Sequence, residues 1–140
     1  MQSTGRRLAM IGMLLLGGAA LAQASRADEL IESAHRAGPR GLEGWTESYP
    51  AAHGPSYPAT LVIAQRGHVI RRIQGDPFVW RWMFWEDGKQ LAYETGSIHF
   101  NMACRLVDIA SGRQLANLDC YHDLAEDAPA WEKALREASR

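Results

Sequence analysis

The sequence lacks the motifs by which most small enzymes and nucleic-acid-binding proteins are identified. It contains no GxSxG nucleophile motif, no phosphate-binding loop and no dinucleotide-binding fingerprint. Only two of its 140 residues are lysine and the arginines are scattered, so no basic face for nucleic acid or for a membrane surface is predicted. These absences favour a protein that is not an enzyme and that has no nucleic-acid partner.

The five histidines are spread along the chain, and no two of them stand four residues apart with a carboxylate in the pattern that binds catalytic zinc. We therefore expect no metal ion and no cofactor. The run Cys120-Tyr121-His122-Asp123 brings a thiol, an imidazole and a carboxylate together in sequence. A catalytic arrangement is defined by geometry rather than by adjacency, so we expect this run to be structural and assign no catalytic residue.

Apolar runs long enough to span a membrane are also missing. The longest, Leu8–Ala22, is shorter than the about 20 apolar residues that a spanning helix needs. It follows two arginines and closes on Ala-Leu-Ala, a small-residue pattern typical of signal-peptidase cleavage. These features predict an export signal over residues 1–22 and a periplasmic or secreted protein with no membrane span after cleavage. An uncleaved anchor is the alternative interpretation.

Cleavage after residue 22 leaves 118 residues, which suffice for one domain with a core and are too few for two ordinary domains. The mature chain then carries 13 basic and 16 acidic side chains, a net charge of −3 with histidine neutral. We expect residues 23–58 to form a short helix and a surface connection. Residues 59–140 should form an antiparallel sheet and a C-terminal helix within the same domain.

The most strand-like stretch is Phe78–Leu118, where four apolar runs are separated by short turns and a loop. Asp87-Gly88 between two such runs is a strong hairpin signal, because both central positions tolerate the positive φ that a tight hairpin turn needs. The turn fixes the register, and cross-strand pairs contribute about 0.2–1 kcal/mol each. The predicted pairs are Glu86 with Lys89, Phe84 with Leu91, Met83 with Ala92, Trp82 with Tyr93, and Arg81 with Glu94.

Two further hairpins are predicted beside this one. Thr60–Ile73 alternates around a turn at Arg66-Gly67, and residues 104–118 alternate around Ser111-Gly112. An apolar face from Leu30 to Ala37 predicts an N-terminal helix, and a second helix is predicted to begin near Pro129. The expected fold is mainly β (α+β), an antiparallel meander of about six strands flanked by an N-terminal and a C-terminal helix.

The segment Gly38–Pro58 is rich in glycine and proline and shows no sustained periodicity, so it is predicted to be a long surface connection. Loops of this length are uncommon inside a compact domain and often functional. Two interpretations stay open: a strap packed over the sheet by its aromatic residues, or a binding loop. The aromatic residues in question are Trp45, Tyr49 and Tyr57.

The two cysteines, Cys104 and Cys120, are predicted to form a disulfide, because an even number of cysteines in an exported protein indicates one. A two-residue turn at Ser111-Gly112 would place the two sulfurs on opposite faces of the hairpin. A three-residue loop with a left-handed residue shifts the register by one and places them on the same face, either directly opposed or diagonal. The diagonal arrangement would require a bulge or bend.

Candidate ligand-binding residues come from the aromatic hairpin. Strand alternation and the predicted register place Trp80, Trp82 and Tyr93 together on one face, where they would make a platform for a sugar or a peptide. Packing in the core is the competing interpretation, since aromatic strand residues are usually buried. His99, near a strand end, is the fourth candidate.

The runs Phe84 to Tyr93 and Leu106 to Arg113 carry a family resemblance. They contain an aromatic residue, a turn ending in Asp-Gly-Lys, a Leu-Ala strand and then Asp-x-x-Ser-Gly. In this they resemble a blade of the WD40-like propeller repeat of exported TolB-type proteins, over Phe78–Leu118 only. The resemblance implies one to one and a half blades that act as a binding platform, and it transfers no catalytic residue. No second copy is found, whereas propellers use about four to eight blades.

Three functions follow as expectations. The first is an exported, non-enzymatic binding or scaffold protein of a bacterial-type cell envelope, with an unknown envelope protein or glycan as partner. The second is a small envelope hydrolase in which His99 or His122 works with a nearby carboxylate. The third is a structural protein that associates with itself as a homo-oligomer, because an isolated blade leaves strand edges uncovered.

Overall fold

The computed structural model describes residues 29–138, so the predicted signal peptide, residues 1–22, lies outside the described residues. Over the described range the chain forms nine strands and one α-helix. The strands are β1 (Ile31–Glu32), β2 (Arg36–Ala37), β3 (Leu42–Ser48), β4 (Pro58–Gln65), β5 (His68–Gln74), β6 (Phe78–Trp85), β7 (Gln90–Gly96), β8 (Ala103–Asp108) and β9 (Gln114–Asp119), and the helix is α1 (Ala130–Glu137).

The strands form two antiparallel sheets rather than the single meander that we predicted. The first sheet has the order β1-β3-β4-β5, with β2 also paired to β3, and the second runs β6-β7-β8-β9. The chain leaves the first sheet at Gly75-Asp76-Pro77, where proline has no N–H to give to a sheet ladder. The backbone N–H of Asp76 donates instead to the Thr95 hydroxyl at 2.7 Å, which fixes the start of the second sheet. The mainly β, antiparallel character of the fold is confirmed.

The main core lies between the two sheets. It is built from Leu42, Leu61 and Ile63 of the first sheet and from residues of the second sheet and the turn that follows β8. The latter are Val79, Trp82, Leu91, Tyr93, Val107 and Ile109. At the end of the molecule that holds the short hairpin turns, Arg71 of β5 reaches across and donates to the carbonyl oxygens of Ile109 and Ala110 at 3.0 and 2.7 Å.

Each sheet also has a covered outer face. On the second sheet, α1 packs Trp131 and Leu135 against Ala92, Leu106 and the two cysteines. This helix begins just after Pro129, as predicted. On the first sheet, Trp45, Val62 and Ala64 form a smaller cluster, and the ring of His35 stacks on Trp45.

The predicted N-terminal helix is wrong for the residues described. Residues 29–37, which we call the N-terminal segment, run extended and pair with β3 through β1 and β2. A helix of this length is marginal in water unless its apolar face is covered, and Ile31 is half exposed. Pairing with β3 satisfies the backbone and lets His35 and Arg36 each cover a tryptophan ring.

The predicted surface connection Gly38–Pro58 contains a strand that we missed. β3 occupies the centre of the first sheet, and Trp45 is buried. A short 3-10 helix, Pro39–Gly41, precedes the strand, so the loop is confined to residues 49–57. Gly44 makes this stretch resemble a loop, since glycine weakens a strand pattern. A Cβ at this position would lie 2.6 Å from the Trp82 ring. The glycine is therefore a packing requirement within a strand and not the sign of a loop.

The predicted hairpins are confirmed. The pairs Arg81–Glu94, Trp82–Tyr93, Met83–Ala92 and Phe84–Leu91 have the predicted register. Asp87 and Gly88 have φ values of 52° and 77°, and the Lys89 N–H donates to the Glu86 carbonyl at 3.1 Å to close the turn. The hairpin around Arg66-Gly67 joins β4 to β5, and the one around Ser111-Gly112 joins β8 to β9.

The predicted disulfide Cys104–Cys120 is confirmed, in its diagonal form. Cys104 stands opposite Leu118, two residues before Cys120, and the Cα atoms of the two cysteines are 5.6 Å apart. A register shift between Leu106 and Val107, on the turn side of Cys104, moves the pairing by one residue and so places both sulfurs on the same face of the hairpin. The Cys120 N–H also donates to the Met102 carbonyl at 3.1 Å, so the chain stays beside β8 as it passes the end of β9.

Candidate functional site

The candidate site begins with a β-bulge in β6. Val79 pairs with Thr95 and Arg81 pairs with Glu94, which leaves Trp80 as an extra residue without a partner. Val79 and Trp82 both belong to the core between the sheets, so the extra residue turns the Trp80 side chain out of that core. Bulges often change the direction of a side chain beside a functional site.

The displaced ring of Trp80 packs in a small aromatic group. Its centroid lies 5.6 Å from that of Tyr57, in the loop before β4, and 5.7 Å from that of Phe78. Its indole N–H donates to the Gly96 carbonyl at 3.0 Å. The ring is therefore held in a fixed orientation by two aromatic neighbours and one hydrogen bond.

Beside this ring lies a cavity of about 430 Å³, which we call the Trp80 cleft. It opens at the end of the second sheet where β6 begins and β7 ends, away from the hairpin turn of residues 86–89. The cleft is lined by aromatic and apolar side chains together with charged side chains of both signs. The lining residues are Tyr57, Trp80, Arg81, Glu94, Ile98, His99, Met102, Cys120, Tyr121 and Arg136.

The charged part of the cleft is a network of paired side chains. Arg81 Nε lies 3.4 Å from Glu94 Oε2, and the Glu94 side chain is only 6% exposed. The Arg81 guanidinium also donates to the Arg136 carbonyl oxygen. Arg136 in turn donates to Glu132 Oε1 at 3.0 Å and to the His122 carbonyl at 2.8 Å. The network holds two positive and two negative side chains, of which Arg81, Glu94 and Arg136 line the cleft.

One side of the cleft is formed by the loop between β7 and β8. The Ser97 hydroxyl accepts from the Phe100 N–H at 3.1 Å and so holds the loop in a tight turn. Ile98 lines the cleft and is 48% exposed, while the neighbouring Phe100 is 68% exposed. Tyr121, on the segment after β9, lines the cleft and is 61% exposed. Apolar side chains left open to solvent around a cavity are typical of binding sites.

Of the four candidate residues from the sequence, Trp80 and His99 line the cleft. Trp82 and Tyr93 instead lie in the core between the sheets, 5% and 4% exposed, so for these two the core-packing interpretation applies. The bulge explains why Trp80 and Trp82 differ. It adds one residue to β6, so Trp80 does not share the core-facing side of the strand with Trp82.

Several cleft residues had no signal in the sequence. Tyr121 and Arg136 lie far from Trp80 along the chain and reach the cleft only because the disulfide and α1 bring their segments there. The Arg81–Glu94 pair could be found, since the hairpin register places the two residues opposite each other. The sequence points to Tyr57 only as one of three aromatic residues in the predicted surface connection Gly38–Pro58.

Only one of the two histidines considered for a hydrolase lines the cleft. His99 lines the cleft, whereas His122 is exposed, 3.8 Å from the carboxylate of Asp119, and lies outside the cleft lining. Both cysteines are bonded to each other, so the thiol of the 120–123 run is not free. Within residues 29–138, no group of three or more His, Cys, Asp or Glu side chains is arranged to hold a metal ion.

Comparison with protein-family models, with curated proteins and with solved structures finds no match to this chain. In the part of the chain that the structure describes, no helix has the length and the apolar character needed to cross a membrane.

Proposed function

We propose that this chain is an exported, non-enzymatic binding protein of a bacterial-type cell envelope and that its ligand occupies the Trp80 cleft. The observation that carries the proposal is the bulge in β6, which takes a tryptophan out of the core and places it beside a buried ion-pair network. Burying a large aromatic ring in the core stabilises a fold, so a strand that turns one away gives up that stabilisation. A binding role accounts for the loss.

The size and chemistry of the cleft support a ligand of modest size. Small-molecule sites are usually concave, with volumes of about 300–1,000 Å³, and combine apolar walls with a few fixed polar groups. The Trp80 cleft has both features, with the rings of Trp80, Tyr57 and Tyr121 on its walls and the Arg81–Glu94 pair beside them. Aromatic walls beside paired charges suit a sugar ring or the side chains of a protein segment, the two ligand classes expected in an envelope.

Two other observations agree with an exported binding platform. The second sheet is a four-stranded antiparallel meander from Phe78 to Asp119, close to the range of the blade resemblance, and propeller blades are four-stranded. The Cys104–Cys120 disulfide fits a protein that matures in an oxidising compartment, which is the destination that the signal sequence predicts.

The proposal is tested by titrating the mature protein with envelope glycan fragments and, separately, with peptides from envelope proteins. Binding is followed by isothermal titration calorimetry and by chemical-shift changes at the indole N–H of Trp80. We expect one of the two panels to bind. Trp80→Ala should weaken binding by about tenfold or more, because loss of a central aromatic contact typically costs over 1 kcal/mol.

The matched control is Tyr49→Ala, which removes an exposed aromatic side chain that is not among the cleft residues. This variant should bind like the original protein. Failure of both panels to bind, or equal binding by Trp80→Ala and the original protein, would contradict the proposal.

Self-association is the second candidate, and the edge of the first sheet favours it. Over the described residues β5 pairs only with β4, and its Val69 and Ile70 are 48% and 38% exposed. An edge strand with exposed apolar residues can pair with another chain. Sedimentation velocity at increasing concentration tests this, and a constant monomer mass up to millimolar concentration would exclude it.

A further inference from the structure

A second group of side chains, none of which lines the cleft, lies on the outer face of the first sheet. His35 of the N-terminal segment has Nδ1 3.1 Å from Glu43 Oε1 and Nε2 3.2 Å from Glu32 Oε2. The same ring lies parallel to Trp45, with centroids 4.1 Å apart and planes within 5°. Both ring nitrogens and one ring face are therefore engaged at once.

This geometry selects one protonation state of the imidazole. A neutral histidine has one N–H donor and one acceptor nitrogen, whereas an ionised carboxylate only accepts. With a carboxylate at each nitrogen, both nitrogens can donate only when His35 is the imidazolium cation. A cation over the face of tryptophan is also favourable, because the negative face of the ring attracts it. The three contacts thus reinforce each other in the protonated form and conflict in the neutral form.

The electrostatics agree with the geometry. Desolvation lowers the pKa of His35, but the hydrogen bonds that its ring donates to Glu32 and Glu43, and the negative charges of these two carboxylates, outweigh it and raise the pKa above 6.5. The other charged groups on this face are Glu47, which lies opposite Glu32 in the strand register, and Arg72, which is bonded to Glu47 at 2.6 Å. Because Arg72 pairs with Glu47, the two carboxylates nearest to the ring stay available to His35.

The next residue makes a similar contact that does not titrate. Arg36 stacks its guanidinium on Trp82, 3.6 Å from the ring centroid, and donates to the Trp82 carbonyl at 2.8 Å. Arginine stays charged at every physiological pH. The N-terminal segment is thus attached by a titratable cation at His35 and by a permanent cation at Arg36.

We propose that His35 is a pH-sensitive latch that holds residues 31–35 on the sheet when protonated and releases them as the pH rises. The sign follows from linkage: a histidine whose folded pKa is raised contributes stability that is present below pH 6.5 and is lost as the pH passes its folded pKa. Release uncovers the ring of Trp45 and loosens the two bonds between Ser33 and Thr46, each 2.9 Å long. Residues 36–37 stay attached through Arg36.

The latch is tested on the mature protein by two measurements between pH 5 and pH 9. The ring resonances of His35 give its pKa by NMR, and hydrogen exchange, corrected for the intrinsic rate, gives the protection of the Ser33 and Thr46 amides. We expect a pKa above 6.5 and a loss of protection at both amides with the same midpoint. The amide of Gly38, which donates to the Leu42 carbonyl, should keep its protection.

Variants separate a latch from a general effect of pH. Glu43→Gln should lower the His35 pKa and move the loss of protection to lower pH, and His35→Gln should remove the pH dependence at Ser33 and Thr46. The control His53→Gln, in the exposed loop before β4, should change neither. A His35 pKa at or below 6.5, or a pH dependence that persists in His35→Gln, would overturn the proposal.

Discussion

The outer face of the first sheet is covered by a polar extended segment, whereas the outer face of the second sheet is covered by an apolar helix. On the first sheet the contacts are ion pairs and ring stacking, and the side chains of His35, Glu32 and Glu43 are each more than one third exposed. On the second sheet Trp131 and Leu135 are buried and a disulfide lies beneath them. Polar cover depends on pH and salt, but apolar cover does not, so the first can open while the second holds.

The largest loss of stability is expected when the apolar contacts between α1 and the second sheet are reduced. Trp131→Ala should lower the free energy of unfolding by about 3–5 kcal/mol, because a buried tryptophan leaves a cavity that the helix cannot fill. Urea denaturation measures the change. The control Leu124→Ala, in the exposed chain before α1, should cost much less. A loss below about 1 kcal/mol for Trp131→Ala would mean that the helix is only loosely attached.

Removal of the disulfide should have the next largest effect. The cysteines are separated by 16 positions, and closing a loop of that size stabilises a fold by roughly 3 kcal/mol in the chain-entropy model. The double variant Cys104→Ser, Cys120→Ser should show this loss in thermal or urea unfolding. It should also weaken ligand binding, since Cys120 lines the cleft. Unchanged stability in the variant would refute the contribution assigned to the bond.

A third change tests the cleft end of the second sheet. Gly96 has a φ of 151°, and a Cβ there would lie 2.8 Å from both the Asn101 carbonyl and Met102 Sδ. We expect Gly96→Ala to cost more than about 1 kcal/mol and to disturb the Trp80 hydrogen bond.

The matched control for this change is Gly54→Ala. Gly54 has a φ of 87° with no atom within 4 Å of the added methyl group, so this variant measures the cost of φ alone. Differential scanning calorimetry gives both values. Equal losses for the two variants would show that crowding at the cleft is unimportant.

The smallest effect is expected on the polar cover, and its sign depends on pH. Glu43→Gln should lower the melting temperature at pH 6, where His35 is charged, and should have no effect at a pH well above the raised His35 pKa. The stabilising contribution exists only below that pKa, because the neutral ring loses one of its two donors. Melting curves at pH 6 and pH 9 provide the measurement. An equal decrease at both values would contradict a role for the imidazolium.

The two sheets also differ in how well their sequence predicts them. Two of the three connections in the second sheet are hairpin turns that carry Asp-Gly or Ser-Gly, so local chemistry sets its strands and most of its register. The first sheet depends on β3, whose glycine at Gly44 exists to admit the Trp82 ring from the other sheet. The need for glycine at position 44 comes from a residue that is distant in sequence. The residues around Gly44 therefore carry no strand pattern, and the sequence of β3 resembles that of a loop.

The residues of the Trp80 cleft were also only partly predictable from the sequence. The register from the Asp87-Gly88 turn gives the Arg81–Glu94 pair correctly, but it fails one residue later, at Trp80. Nothing near Trp80 in sequence marks the bulge, since the indole N–H that fixes its ring donates to the Gly96 carbonyl on the neighbouring strand. The remaining walls come from segments after β9 and in α1, which only the folded chain brings together.

The contact of Arg71 with the turn after β8 has a mechanical consequence for the cleft. It fastens the two sheets at the hairpin-turn end, while Tyr57 and Trp80 face each other near the opposite end of β6. At the cleft end the chain itself joins the two sheets, because β5 ends at Gln74 and β6 begins at Phe78. The sheets are therefore tied at both ends, by the Arg71 hydrogen bonds at one and by the Gly75-Asp76-Pro77 connection at the other, and both ties help to set the spacing between the Tyr57 and Trp80 rings.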